Sequence, residues 1–350
     1  MTDPSTGDAL RRLVAAMPKA ELHLHLDGSV RIETAIELAR TRGLDAPVTP
    51  DAMRALLVAP ERCADQAELL RAFDLPIALL QDAEALERVT SELVESKAAD
   101  NVRYFEIRWG PLLHTRRGLS LAEGIAAVCR GARDGAVRTG TVVRLICTAI
   151  RSHDPADNVE LAETAARFRA DGLTGWDLAG PEAAYPDPLL HQTAFDAARA
   201  AGLRITVHAG EWGGAAQVRR ALALEPERIA HGPGAIDDVD LCRELVHRGV
   251  TLDLCPTSNV QAGIVASVAD HPLGRLHRLG VPVTLSTDDA TVSDISLTDE
   301  YVRVLEQIGL TPAELWSIDR RALDFAFADA ATLEPLRAEF DAWALENMPR

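Results

Sequence analysis

Glu21-Leu22-His23-Leu24-His25-Leu26-Asp27-Gly28 alternates apolar and polar side chains and sets two histidines one residue apart. On a β-strand, residues i and i+2 point to the same face, so this run predicts a strand that aims two imidazoles at one point. Asp27-Gly28 is a turn signal, which puts the pair at the C-terminal end of that strand. α/β proteins place their chemistry there. A lone His-x-His is equally at home as a pair of half-buried strand residues, so the reading rests on what the rest of the chain brings to the same place.

Apolar, β-rich runs like this one recur along the chain. Eight are read as strands: Ala20–Leu26, Val102–Trp109, Val142–Ile150, Gly175–Ala179, Arg204–His208, Arg228–Ala230, Val250–Leu254 and Pro282–Ser286. Between most of them, Leu121–Val137, Asn158–Ala170, Leu189–Ala201 and Val239–Arg248 repeat apolar residues near i, i+3, i+4 and i+7, as amphipathic helices do. Strands alternating with helices predict a parallel sheet with crossovers. Eight of them predict an α/β fold, a closed (β/α)8 TIM barrel. The alternative is an open doubly wound sheet, but no G-x-G-x-x-G follows the first strand to support its dinucleotide-binding form.

One connection is too long for a single βα unit. From Ser29 to about Asp100 the chain reads as helix after helix, at Ile32–Arg42, Asp51–Leu57, Ala67–Leu80 and Ala83–Ala99. This excess follows the His-x-His strand end and predicts a helical cap over the barrel mouth. With no linker and no repeat, residues 1–350 read as one domain carrying that insertion, and Leu323–Arg350 as a helix ending in a polar tail.

Of the 350 residues 47% are hydrophobic, enough for one large core, yet no stretch approaches the ~18–20 uninterrupted apolar residues of a membrane span. Met1–Leu10 is polar and carries no basic-then-apolar signal, so a soluble cytoplasmic protein is expected, without a membrane partner. A net charge of −17 argues against a nucleic-acid partner, which needs a basic face. Cys63, Cys129, Cys147, Cys242 and Cys255 are odd in number and widely spaced, which argues against disulfides or a thiolate metal site.

The strand ends converge on one pocket in such a barrel. They supply His23, His25 and Asp27 from strand 1, Asp177 to Gly180 from strand 4, and His208 to Glu211 from strand 5. Strands 6, 7 and 8 add His231, Cys255 to Asn259, and Ser286 to Asp289. Four of the ten histidines thus fall at strand ends beside carboxylates. The others, His114, His191, His247, His271 and His277, lie in helices or loops and read as ordinary residues, as does His153 after strand 3. Imidazole and carboxylate donors without thiolates suit zinc, with iron or manganese as alternatives. His23, His25, His208 and Asp288 can ligate and leave a position open for water. Glu211, three residues beyond His208, can lie near the metal and serve as a proton donor, or else be a carboxylate favoured by a helix N-terminus. His231 can hold or deprotonate the water. Many two-metal hydrolase barrels bridge their metals with a lysine on strand 4. Lys19 and Lys97, the only lysines, lie elsewhere, so one metal per chain is expected.

Together these motifs resemble the adenosine deaminase family of the amidohydrolase superfamily. The matching stretches are Met17 to Ser29, Leu178-Ala179-Gly180-Pro181-Glu182, Thr206-Val207-His208-Ala209-Gly210-Glu211, Arg228-Ile229-Ala230-His231-Gly232, Cys255-Pro256-Thr257-Ser258-Asn259 and Ser286-Thr287-Asp288-Asp289, in family order. Tyr104 to Trp109 is similar to the family's second strand. The H-x-E with P-C-x-x-C signature of the cytidine-type zinc deaminases is absent.

The resemblance implies zinc-dependent hydrolytic deamination of a 6-aminopurine nucleoside, most simply adenosine to inosine and ammonia. His23, His25, His208 and Asp288 would bind one Zn²⁺. Glu211 would protonate N1, and His231 and Asp288 would orient the attacking water. Gly180 would offer its N–H to N3, Asp289 would meet N7 through a proton, and Asp27 would face the ribose 5′ side. Leu56, Leu57, Leu69, Leu70 and Phe73 are candidates to cap the pocket. The alternatives are a modified adenosine such as aminodeoxyfutalosine, free adenine, or, in another class, a catalytically silent nucleoside-binding relative. The chain departs from the family's pattern at Pro233-Gly234, Trp212 and Arg151-Ser152-His153, all placed by this reading near the pocket mouth. The sequence leaves the oligomeric state open.

Overall fold

The computed structural model describes residues 4–348; the first three residues and the last two of the expected polar tail lie outside the described residues. Eight strands pair in chain order, each parallel to the next: β1 (Lys19–His25), β2 (Val102–Trp109), β3 (Val142–Ile150), β4 (Leu173–Ala179), β5 (Arg204–Ala209), β6 (Arg228–His231), β7 (Thr251–Leu254) and β8 (Val283–Leu285). The segment after β8 closes the ring on β1. His25 N–H donates to Asp288 O at 2.7 Å, and Asp288 N–H donates to His23 O at 3.1 Å. This is a (β/α)8 barrel, nearly closed by hydrogen bonds and surrounded by helices. No helix among the described residues is long and apolar enough to cross a membrane.

The strands are buried on both faces, as parallel strands under helices must be. β4 begins at Leu173, two residues before the sequence reading started it. Gly175 is an interior strand residue, not a boundary: a Cβ there would meet Ile146 and Phe327 side-chain carbons at 2.8 Å. The barrel interior is charged as well as apolar. Arg228 lies between Glu106 and Asp253, with Nε 3.1 Å from Asp253, and Arg108 reaches Asp177 at 3.4 Å and Asp253 at 3.6 Å. Paired charges are what low-dielectric burial requires.

The connection from β1 to β2 holds helices Ile32–Thr41, Pro50–Leu57, Gln66–Leu70, Asp74–Leu79 and Ala83–Ala99. The last is not part of a cap. It packs along Leu121–Thr139 so closely that a Cβ on Gly131 would stand 2.3 Å from Glu87 O, and its Lys97 pairs with Glu21 of β1 at 2.7 Å. It is the crossover helix of the first βα unit, so the extra chain in the expected 29–100 insertion is its earlier part. The helix expected over Ala67–Leu80 is broken by a 3₁₀ turn at Arg71–Phe73. Pro76 has no N–H to donate back to residue 72, and restarting at Asp74 puts it in a first turn, where none is needed. The helix expected over Asn158–Ala170 starts earlier, at Pro155, because Asp154 caps it by accepting from Ala156 N–H, and it tightens to 3₁₀ from Ala166.

Candidate metal centre and substrate pocket

His23 and His25 end β1 on one face, as the alternation requires, and β5, β6 and the post-β8 segment bring His208, His231 and Asp288 to them. His23 Nε2 stands 3.3 Å from His25 Nε2 and 2.9 Å from Asp288 Oδ1. His25 Nε2 stands 3.2 Å from His208 Nε2 and 3.4 Å from Asp288 Oδ1. His231 Nε2 lies farther out, 3.8 Å from both Asp288 Oδ2 and Glu211 Oε1. A looser grouping, with all donor atoms within 4.8 Å, takes His231 with His23, His208 and Asp288 and omits His25. The shorter separations weigh for His25. Ligands held tetrahedrally at about 2.0–2.1 Å from a metal are themselves about 3.3–3.4 Å apart. Burial lowers the pKa of His23, His25 and His231, and His25 falls to about 3, so these imidazoles are neutral and their lone pairs are free to ligate.

Groups behind the cluster orient it. Asp177, fully buried at the end of β4, accepts from His208 Nδ1–H at 2.9 Å, which turns His208 Nε2 toward the other donors. Ser258 Oγ–H donates to Asp288 Oδ2 at 2.7 Å, and Asn259 Nδ2 lies 3.2 Å from His231 Nδ1. The buried Glu182 carboxylate accepts the N–H groups of Gly210 (2.8 Å), Trp212 (2.7 Å) and Gly213 (3.0 Å), fixing the loop that carries Glu211. The sequence reading quoted Asp177, Glu182, Ser258 and Asn259 inside motifs without giving them a role. Their signal was a polar residue at a strand end, and their partners lie far away in the chain.

Beside the cluster opens a cavity of about 450 Å³ whose lining includes Asp27, Gly180, Glu211, Asp288 and Asp289. Burial, then the Asp288 charge, raises the Glu211 pKa to about 8, so this carboxyl holds its proton at neutral pH. Asp288 is the reverse: burial pushes it up, but the imidazoles of His23 and His231 outweigh that and hold it well below the usual carboxylate range. Asp289 is pushed well above it, by burial and then by Asp288. Burial raises Asp27 to about 6. Gly28 is required where it stands, since a Cβ would fall 1.7 Å from Asp289 Oδ1.

Leu69, Leu70 and Phe73 line the cavity, with Gln66, Asp74 and Ile77. Leu56 and Leu57 do not: Leu56 is 46% exposed on the outer surface, and Leu57 is buried against a separate small void behind Gly28. Trp212 and Ser152 are in the lining, but Pro233-Gly234 is not. Gly234 packs against the Gly214 backbone, where a Cβ would meet Gly214 Cα at 2.7 Å.

A family model described as adenosine deaminase matches residues 18–343. An adenosine deaminase of Clostridium perfringens is 37% identical over 324 residues, 92% of this chain and 97% of that protein. The chain belongs to the adenosine deaminase family. Solved structures agree. A zinc-bound amidohydrolase from Burkholderia ambifaria superposes with a TM-score of 0.87 at 30% identity, over 96% of this chain and 94% of its own. Adenine deaminase from Arthrobacter aurescens gives 0.86 at 28%, over 94% and 100%. The cofactor of the adenosine deaminase family is zinc, and the cluster fits it: imidazole donors, one carboxylate and no thiolate. β4 carries no lysine that could bridge a second metal.

Proposed function

We propose that this chain hydrolyses the 6-amino group of an adenosine-like purine nucleoside, most simply converting adenosine and water to inosine and ammonia. The observation that carries the reading is Glu211, a carboxylic acid kept protonated by burial, beside a His/Asp metal centre in a cavity of small-molecule size. In this reading His23, His25, His208 and Asp288 hold one Zn²⁺. When bound, zinc supplies the Lewis acidity that brings the pKa of a water from about 15.7 toward about 7.

The protein groups do the rest. Glu211 donates its proton to purine N1, which draws electrons from C6. His231 and Asp288 orient the water toward C6; its oxygen bonds to C6 as the C6–N bond breaks, one of its protons leaves with the amino group as ammonia and the other restores the Glu211 acid. The Gly180 N–H meets N3, and Asp289, protonated, donates to N7. Asp27 faces the ribose 5′ side. An ionised carboxylate only accepts and has no proton to give to N1 or N7. Glu211 and Asp289 are the two acids whose surroundings favour the neutral form most strongly at this site.

A second reading, a nucleoside with an extended 5′ substituent such as aminodeoxyfutalosine, draws support from the mouth. Arg116 and Trp212 line it alongside apolar Leu113 and Ile150, which suits an acidic or aromatic extension. Ammonia release from adenosine, adenine and aminodeoxyfutalosine by the zinc-loaded protein separates these readings. Turnover of adenosine is expected. Turnover of aminodeoxyfutalosine alone moves the assignment to the second reading, and ammonia from none of them refutes both in favour of a silent binding protein.

A further inference from the structure

His231 can face the reacting water in two opposite ways. With its proton on Nδ1, Nε2 presents a lone pair and can act as a base. With its proton on Nε2, it can only donate. The neighbours of Nδ1 decide which of the two the ring does, because a donor facing Nδ1 leaves the ring proton to Nε2.

The decision comes from a backbone amide two residues removed from the site. Leu273 N–H can only donate, and it donates to His271 Nδ1 at 3.2 Å. His271 is buried and its pKa is pushed down to about 3, so it is neutral and its one proton is on Nε2. That Nε2–H lies 3.1 Å from Asn259 Oδ1 and donates to it. The Asn259 amide is thereby oriented, and its Nδ2–H points at His231 Nδ1, 3.2 Å away. Flipping the amide fails: it would need His271 Nε2 as an acceptor, hence a proton on His271 Nδ1 facing the Leu273 N–H. Each buried group in the chain has one consistent role.

We infer that Asn259 and His271 are positioning residues that hold His231 as the neutral Nε2–H tautomer, so that it meets the reacting water as a hydrogen-bond donor and takes no proton from it. The other face of the ring agrees. His231 Nε2 stands 3.8 Å from Asp288 Oδ2, and a lone pair aimed at an acceptor oxygen is repelled where an N–H is attracted. The catalytic meaning rests on the proposed deamination, but the tautomer does not.

¹⁵N-histidine labelling of the zinc-loaded protein tests it, with His231 and His271 assigned through single His→Gln variants. Long-range ¹H–¹⁵N correlations are expected to show an acceptor-type Nδ1 and a protonated Nε2 on both rings. A proton on His231 Nδ1 overturns the inference. Asn259→Asp replaces the donor with an acceptor and should transfer the His231 proton to Nδ1. A loss in kcat of about 100-fold is expected, the scale of removing one oriented donor, with KM changed by less than about threefold. Wild-type kcat in that variant removes the positioning role. His271→Gln, which keeps a donor toward Asn259, should retain activity that His271→Glu loses; equal activities also count against the relay. Absence of deaminase activity would leave the ring measurement standing, and a wrong tautomer would leave the deaminase reading standing, so the two fail separately.

Discussion

Replacing Glu211 by glutamine separates its chemistry from its place in the fold. The side chain is 14% exposed and its carboxyl is raised from 4.5 to about 8, mainly by burial. That difference corresponds to about 5 kcal/mol in favour of the neutral acid at 1.36 kcal/mol per pH unit. Glutamine has nearly the same shape and is always neutral, so the folded protein near pH 5 should scarcely notice the change. The wild type behaves differently as pH rises. Its unfolded chain ionises Glu211 near 4.5, while the folded protein holds the proton to about 8. Stability from that proton is complete below 4.5 and is lost as pH rises through this window. Glu211→Gln has no such loss, so in metal-free protein its stability relative to wild type should climb from pH 4.5 to 8 and level off, by at most about 5 kcal/mol. Bound zinc adds positive charge and lowers the folded pKa, narrowing the effect. Urea unfolding of both proteins across that range reads the stability. Adenosine turnover by the zinc-loaded variant reads the chemistry, and a proton donor's removal should reduce kcat/KM by about 10²–10⁴-fold. A kcat/KM within tenfold of wild type, or a stability difference flat with pH, refutes the reasoning.

Asp177→Asn weakens the oriented bond to His208 Nδ1–H and should lower zinc affinity by about 10–100-fold, measured by chelator competition. Gly28→Ala drives a methyl group into Asp289, and denaturant unfolding should show a loss of about 1–3 kcal/mol together with a raised KM. Lys97→Met strands the buried Glu21 carboxylate and should destabilise by about 3–5 kcal/mol in the same assay.

The sequence made the strand ends legible for a physical reason. Period-2 alternation tells which side chains share a face, and a parallel barrel collects its C-terminal ends at one mouth, so His23, His25, His208, His231 and Asp288 could be grouped without a structure. Direction within a helix was not legible. The apolar stripe of the cap says that Leu56, Leu57, Leu69, Leu70 and Phe73 are core-like, not which of them faces the cavity, and only packing separates Leu69 from Leu57. His271 was read as an ordinary loop histidine. Its partner Asn259 lies twelve residues away and His231 forty, so no local pattern marks the three as a chain. The charged barrel interior was hidden likewise, since Arg108 and Arg228 find their partners on other strands.

Asp288 and Asp289 show how closure of the barrel makes the site. They are adjacent, both buried, and pushed in opposite directions, one toward the ionised and one toward the protonated form. A charge on Asp288 disfavours one on Asp289, and the imidazoles that reach Asp288 favour its carboxyl as the charged one. Their divergence begins in the backbone. Asp288 has a φ of 67°, a left-handed conformation uncommon outside glycine, and its side chain goes to the histidines while Asp289 goes to Gly28. Such a conformation costs about 1–3 kcal/mol and persists where surroundings overdetermine it. Here the surroundings are β1 itself. His23 O and His25 N–H bind the Asp288 backbone on either side, while their imidazoles meet its carboxylate. The same two residues therefore close the barrel, hold the strained aspartate and supply half of the nitrogen and oxygen donors. A disturbance of the β1–β8 seam should for that reason reach zinc affinity before it reaches the stability of the remaining strands.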